Sequence, residues 1–207
     1  MKMTITRALV ELKTLNKRIM NAIDNLIPVT IVTGKNVPRG FTTRDDFEKD
    51  VKAKYESVNA LIDRRKQIKS KIVTANAVTE VEIAGAKMTI AEAIERKSSI
   101  ALEKSLLGRL SEKYASNLKV HEQAEFKCND QLQRLLEVNF GKDSKAKSEE
   151  IDAISKPYLE NNAPRFIDPL DVKKKIEELA NEISKFEAEV DVVLSEANAK
   201  TEIEISE

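Results

Sequence analysis

The chain has 207 residues, enough for one or two modest domains with a real core, and 35 basic against 35 acidic side chains leave no formal net charge. Charged residues make up 34%, aromatics 4%, and Gly and Pro number five each, the profile of long helices with narrow apolar seams and not of a disordered chain. No stretch approaches the ~18 apolar residues of a membrane span, and Cys128, the single cysteine, excludes an internal disulfide and points to a reducing compartment.

Taken in order, "MKMTITRALVELK" has an early Lys but neither a continuous apolar run nor a small-residue cleavage site, so it reads as an amphipathic helix and not a signal peptide. A first helix is predicted from about Thr4 to Leu26. Ile5, Leu12, Ile19 and Leu26 are seven apart, with Ala8, Leu15 and Ala22 three residues behind the first three. Pro28 ends it. "PVTIVTGKNVPRGF" (28–41) has strand chemistry at 29–32 and turn residues at Gly34–Asn36, which predicts a short strand or hairpin and then a loop. Thr43 and Asp46 are spaced as a capping box at the start of a second helix, 44–75. Its buried stripe is Phe47, Val51, Tyr55, Val58, Ile62, Ile68 and Ile72, with Arg65 interrupting the seam.

"ANA" then leaves the helix, and "TEVEI" (79–83) alternates as a half-buried strand with Val81 and Ile83 on one face. Ala84–Gly85 makes a turn. Thr89 and Glu92 cap a third helix, about 89–139, along which Ala93, Ile100, Leu107, Tyr114, His121, Cys128 and Leu135 recur every seven residues. Gly141 stops it. Residues 142–166 are polar, with a short helix near 149–160. Asp168–Pro169 reads as N-cap and first residue of a last helix, whose Val172, Ile176, Leu179, Ile183, Phe186, Val190 and Val193 alternate in steps of four and three.

Two passages recur. "TANAVTEVEI" (74–83) returns as "EANAKTEIEI" (196–205) with seven of ten positions identical, and "MTITRAL" (3–9) returns in outline as "MTIAEAI" (88–94). Starts are 85 apart and ends 122 apart, so the second unit is 37 residues longer, mostly in its longer helix and in the 141–167 connection. The order predicts a mainly α protein: two duplicated antiparallel helical hairpins, four long helices in a coiled-coil-like bundle, and a small β-sheet of short strands at one end. The first hairpin spans 1–83 and the second 84–207, together one structural domain. The strands at 79–83 and 201–205 are expected to pair with each other, with 29–32, or with another chain.

Catalytic and metal patterns fail on inspection. His121, the single histidine, lies on a helix seam and reads as a packed residue. Cys128 is one heptad further on, about two helical turns, too far for a Cys–His pair and suited to a buried structural thiol. Leu118 stands where the di-iron bundle pattern needs Glu. Gly34–Lys35 and Gly141–Lys142 lack the first glycine and the Ser/Thr of a phosphate loop. Glu92/Glu95, Glu149/Glu150 and Glu177/Glu178 fit helix starts and solvated faces. Neither a cofactor nor a metal is expected.

"LIDRRKQIKSKIVTANAVTEVEIAGAKMTIAEAIERK" (61–97) resembles a segment of small bacterial proteins of the septicolysin-like family: a helix, an "NAxT" turn, a short strand with Gly, then a "TxxEA" helix start. Thr74, Asn76, Thr79, Gly85, Thr89, Glu92 and Ala93 carry the match, and "EISKFEAEVDVVLSEANAKTEIEI" is similar to that family's ending. About a third of the chain is covered well; 28–41 and 141–167 depart from it. The resemblance carries no functional residue over, and its cytolysin label implies a membrane-active protein. In style the chain also resembles proteins encoded by large tailed bacteriophages.

Charge is unevenly spread, with a net of +7 over residues 1–70 and −6 over 171–207. This predicts either a basic segment against an acidic one inside the fold or head-to-tail attraction between subunits. No basic cluster is interleaved with aromatics, so nucleic acid is not an expected partner. The leading expectation is a non-enzymatic structural or assembly protein, a bacteriophage virion component or a bacterial cytoplasmic protein. It would join other subunits, as a homo-oligomer or larger assembly, through the strand Thr201, Glu202, Ile203, Glu204 and Ile205. A binding or regulatory module using 28–41 and 141–167 is the alternative. A membrane-active protein follows, disfavoured because the apolar seams are narrow, and an enzyme comes last.

Overall fold

The computed structural model describes residues 1–141 and 147–205. The expected mainly α architecture is present. The elements are β1 (Lys2–Thr4), α1 (Ile5–Asp24), α2 (Arg44–Val78), β2 (Glu80–Ile83), β3 (Ala86–Thr89), α3 (Ile90–Phe140), α4 (Ser148–Asn162), α5 (Val172–Lys200) and β4 (Glu202–Glu204). Residues 142–146 of the polar connection, including Lys142 of the second Gly-Lys pair, and the final two residues lie outside the described set.

The expected single sheet is instead two antiparallel two-stranded sheets, β1–β4 and β2–β3. Neither repeated strand pairs with the other, and residues 29–32 form no strand. Each repeated strand takes as partner a segment just before a helix, β3 or β1. Those two segments carry the repeated Met-Thr that sequence periodicity merges into the helix start.

Contacts cluster into two compact units that do not follow the repeat boundary: Met1–Ser98 with Lys185–Glu207, and Ser99–Ser184. In the first unit, α1 lies against α2. Ile5, Ala8, Leu15 and Ile19 of α1, Ile68 and Ile72 of α2, Met3 of β1, and Ile203 and Ile205 of the β4 region form one buried cluster. Arg65, the seam interruption, turns outward and donates to Asn16 Oδ1 at 2.6 Å, while Arg64 pairs with Glu11 at 3.1 Å. Tyr55, expected on the seam, is 58% exposed. α2 also runs further than expected: "ANA" is its last turn, closed by Thr79 N–H donating to Ala75 O at 2.9 Å.

The second unit holds the rest of α3, α4 and the first turns of α5. The seven-residue stripe of α3 stays buried or half-buried from Ala93 to Cys128, but Leu135 is exposed and Leu132 and Leu136 turn inward instead. A straight helix drifts about 20° per heptad against a strict seven-residue repeat, and six heptads suffice to rotate the stripe off the packed face. α5 starts at Val172, not at Pro169. Pro169–Leu170 form a turn, and the Asp168 carboxylate accepts from Leu170 N–H at 3.2 Å and Val172 N–H at 2.8 Å. Asp168 therefore satisfies the helix's first donor from four residues before it.

The starts of α2 and α3 follow the expected chemistry. Thr43 and Asp46 exchange hydrogen bonds of 3.1 and 3.0 Å. Glu92 accepts from Thr89 N–H at 2.7 Å and from its hydroxyl at 3.0 Å, and Glu92 N–H returns one to Thr89 Oγ1 at 3.2 Å. The Thr89 backbone N–H, then its hydroxyl, hold the Glu92 carboxyl below the usual carboxylate range. In α1 the Thr4 cap faces Arg7, so the reciprocal carboxylate is missing.

Two outcomes follow from this packing. Ile68→Ala, at a fully buried site, is expected to cost about 2–5 kcal/mol in urea denaturation. Because the folded pKa of Glu92 is depressed, its contribution is present above its unfolded pKa and fades as pH falls through the lower folded value. The gap in urea midpoint between the wild type and Glu92→Gln should therefore be open at neutral pH and close in acid, where the carboxyl is protonated.

Candidate functional site

The strand Thr201–Ile205 is held inside its own chain. β4 pairs with β1 in the register Lys2↔Glu204, Met3↔Ile203, Thr4↔Glu202. Ile205 N–H donates to Met1 O at 3.0 Å, the Met1 ammonium donates to Ile205 O at 2.8 Å, and Ile5 N–H donates to Thr201 O at 2.9 Å. Ile203 and Ile205 enter the core, and Glu202 and Glu204 face solvent.

The second pair repeats this geometry. β2 and β3 are registered Glu80↔Thr89, Val81↔Met88, Glu82↔Lys87, and Ile90 N–H donates to Thr79 O at 2.9 Å. Shifted by the repeat, Glu80 becomes Glu202, Thr89 becomes Thr4, Glu82 becomes Glu204 and Lys87 becomes Lys2. Both pairs thus share one register and nearly the same residues. They differ in closure. β2 runs into β3 through Ala84 and Gly85, at φ 53° and 78°, the left-handed pair that a tight two-residue hairpin requires. Glu189 of α5 pins that turn, its carboxylate accepting from Ala84 N–H at 2.7 Å. At the equivalent place in the other pair, Ile205 and Met1 meet with no peptide bond between them. We call this open pair the clasp.

A second feature lies in the other unit. The segment 163–171 lies along α3 and frames a cavity of about 370 Å³ with Tyr114, Asn117 and His121. The Phe166 ring meets Tyr114 edge-on at 5.8 Å and His121 at 5.6 Å. His121 Nδ1 lies 3.6 Å from the Glu125 carboxylate. Cys128 is buried, as expected, one heptad on, about 10 Å along the axis by helical rise. Tyr158 of α4 donates to Gln131 at 3.1 Å, and burial, with the Cys128 thiol beside it, pushes the phenol above its usual value. These groups hold α4 and the 163–171 segment on α3; they do not set a nucleophile beside a base. Sequence reading missed this role of Phe166, because ring contacts across a loop leave no periodic trace.

Among the described residues, no group of three His, Cys, Asp or Glu is arranged to hold a metal ion, and no helix is long and apolar enough to cross a membrane. No protein-family model matches the chain, and no curated protein matches it. One solved structure does, a functionally unknown conserved protein from Corynebacterium diphtheriae: 16% identical, with a TM-score of 0.38, over 99% of this chain and 100% of that one.

Phe166→Ala removes both ring contacts, each worth about 0.5–1.5 kcal/mol beyond the area it buries. The expected result is faster proteolytic cutting within 163–171 with little change in cleavage of the first unit, read by mass spectrometry of limited digests.

Proposed function

We propose that the chain is a non-enzymatic structural or assembly protein that joins neighbouring subunits by strand pairing and helix packing. The observation that supports this most is the clasp. It has the register and residues of a covalent hairpin, yet only hydrogen bonds and the burial of Ile203 and Ile205 keep it closed. β4 of a neighbouring copy offers β1 the same partners, so exchange conserves these contacts and is opposed by the entropy lost on association. Large apolar side chains left open along α3, among them Leu102 at 74%, Phe126 at 74% and Val138 at 84%, supply surface for helix packing between subunits. A tailed-bacteriophage virion is the setting in which we place such a part, and its recovery from purified virions would support that setting.

Met1 and Ile205 exchange both backbone hydrogen bonds, so Lys2 and Glu204 next to them form a non-hydrogen-bonded pair. Its Cα atoms stand about 4.5 Å apart, within disulfide reach. Lys2→Cys with Glu204→Cys, in a Cys128→Ala background, is expected to give disulfide-linked dimers and larger species beside the closed monomer when concentrated protein is oxidised and run on a non-reducing gel. A closed monomer alone at every concentration overturns the exchange.

A further inference from the structure

We infer that the cavity framed by the 163–171 segment is the head end of a binding site for a free long-chain carboxylate, a single-chain amphiphile with an anionic head. The site lies wholly within the second unit, so it goes beyond the assembly reading and does not depend on the clasp. The cavity has a neighbour. A second space of about 360 Å³ lies between α3 and α5, and the two share Leu110, Leu170 and Val172 as common walls. Leu106 and Leu179 complete the apolar lining of the second space. Each volume lies in the range that takes small molecules. Along α3 the walls run from Leu106 to His121, about 22 Å by helical rise. The joined space is therefore elongated, with leucines along one half.

Its two ends differ in charge. Lys113, Arg165 and Asp168 line the cavity at the Phe166 end. The Asp168 carboxylate is engaged by the N–H groups of Leu170 and Val172. Lys113 has a loose acidic neighbour, Glu112 at 3.9 Å, which also meets Arg109 at 3.3 Å. Among the described residues, no hydrogen bond or ion pair engages the Arg165 guanidinium or the Tyr114 hydroxyl. A guanidinium is the side chain best suited to hold a carboxylate, through two parallel N–H donors. At the other end Lys175 is ion-paired with Glu178 at 2.9 Å, and Glu182 adds a further acidic charge.

This polarity selects the occupant. An anionic head is attracted to Arg165 and Lys113 and repelled from the Glu178–Glu182 end. An alkyl tail laid over Leu110, Leu170 and Leu106 leaves water along the second space. A small anion without a tail leaves those leucines wet, a neutral chain leaves Arg165 unpaired, and a cationic head meets like charge at the Phe166 end. Only a ligand with both parts uses both spaces. Phe166, set edge-on against Tyr114 and His121, keeps the 163–171 wall of the head end in place.

The test is isothermal titration calorimetry of the full chain with laurate below its micelle concentration. Octanoate, dodecanol and dodecyltrimethylammonium separate the tail from the head. Laurate is expected to bind at a single site, at least tenfold more tightly than octanoate or dodecyltrimethylammonium, and to slow proteolytic cutting within 163–171. Arg165→Gln should weaken laurate at least tenfold and leave dodecanol within twofold. Leu106→Glu should weaken laurate and dodecanol alike. Both positions are exposed, Leu106 at 54%, so both variants should keep the wild-type circular-dichroism spectrum, and Arg165→Gln alone decides the matter should Leu106→Glu lose it. No binding of laurate, octanoate or dodecyltrimethylammonium as tight as laurate, or a laurate affinity unmoved by Arg165→Gln would each overturn the proposal. So would sedimentation with vesicles of phosphatidylcholine and phosphatidylglycerol by protein that takes up no free laurate, since that assigns the cations to lipid headgroups.

Discussion

The antiparallel pairing of β1 with β4 joins the two ends of the described chain, and the first compact unit is organised around it. Ile203 and Ile205 reach the core only because Thr201, Ile203 and Ile205 find backbone partners beside Ile5, Met3 and Met1. Once there, they pack in the same cluster as α1 and α2. The cost of closing so long a loop grows only logarithmically with its length, and burial of apolar side chains against α1 offsets it. The end of α5 must therefore arrive next to the start of α1, as the end of α2 must arrive next to the start of α3.

Duplication explains why one solution appears twice. A helix exit through "ANA", a Thr at the junction, and a Glu-x-Glu-Ile strand meet a Lys-Met-Thr strand that flows into a helix. In the hairpin the left-handed Ala84–Gly85 turn and the Glu189 bond make that meeting permanent. At the clasp the same contacts are reversible in principle. That difference between a linked and an unlinked copy of one joint underlies the assembly reading.

The long helices were legible because each carries a repeating apolar stripe. All seven positions expected on α5, from Val172 to Val193, are buried or half-buried, as are Ile5, Leu12, Ile19 and Leu26 of the first stripe. Capping was legible at Thr43 and Thr89, where a hydroxyl and a carboxylate sit three residues apart. The strands β1 and β3 were not, since three or four residues that end in a helix cap blend into the helix pattern. The candidate strand Thr201–Ile205 was visible as a strand, with Ile203 and Ile205 on its inner face, but its partner was not.

The sequence by itself determined the helices, the inward faces, the repeat and the absence of a recognisable catalytic or metal motif, because each of these is written in local spacing and residue type. Tertiary structure alone decided which strand meets which, that Val29–Val32 stays unpaired despite its β-branched residues, and that Phe166 lies against Tyr114 and His121. Those outcomes depend on which distant segments share a core. Two strands of equal propensity differ only in whether the fold brings a partner's backbone within hydrogen-bonding reach.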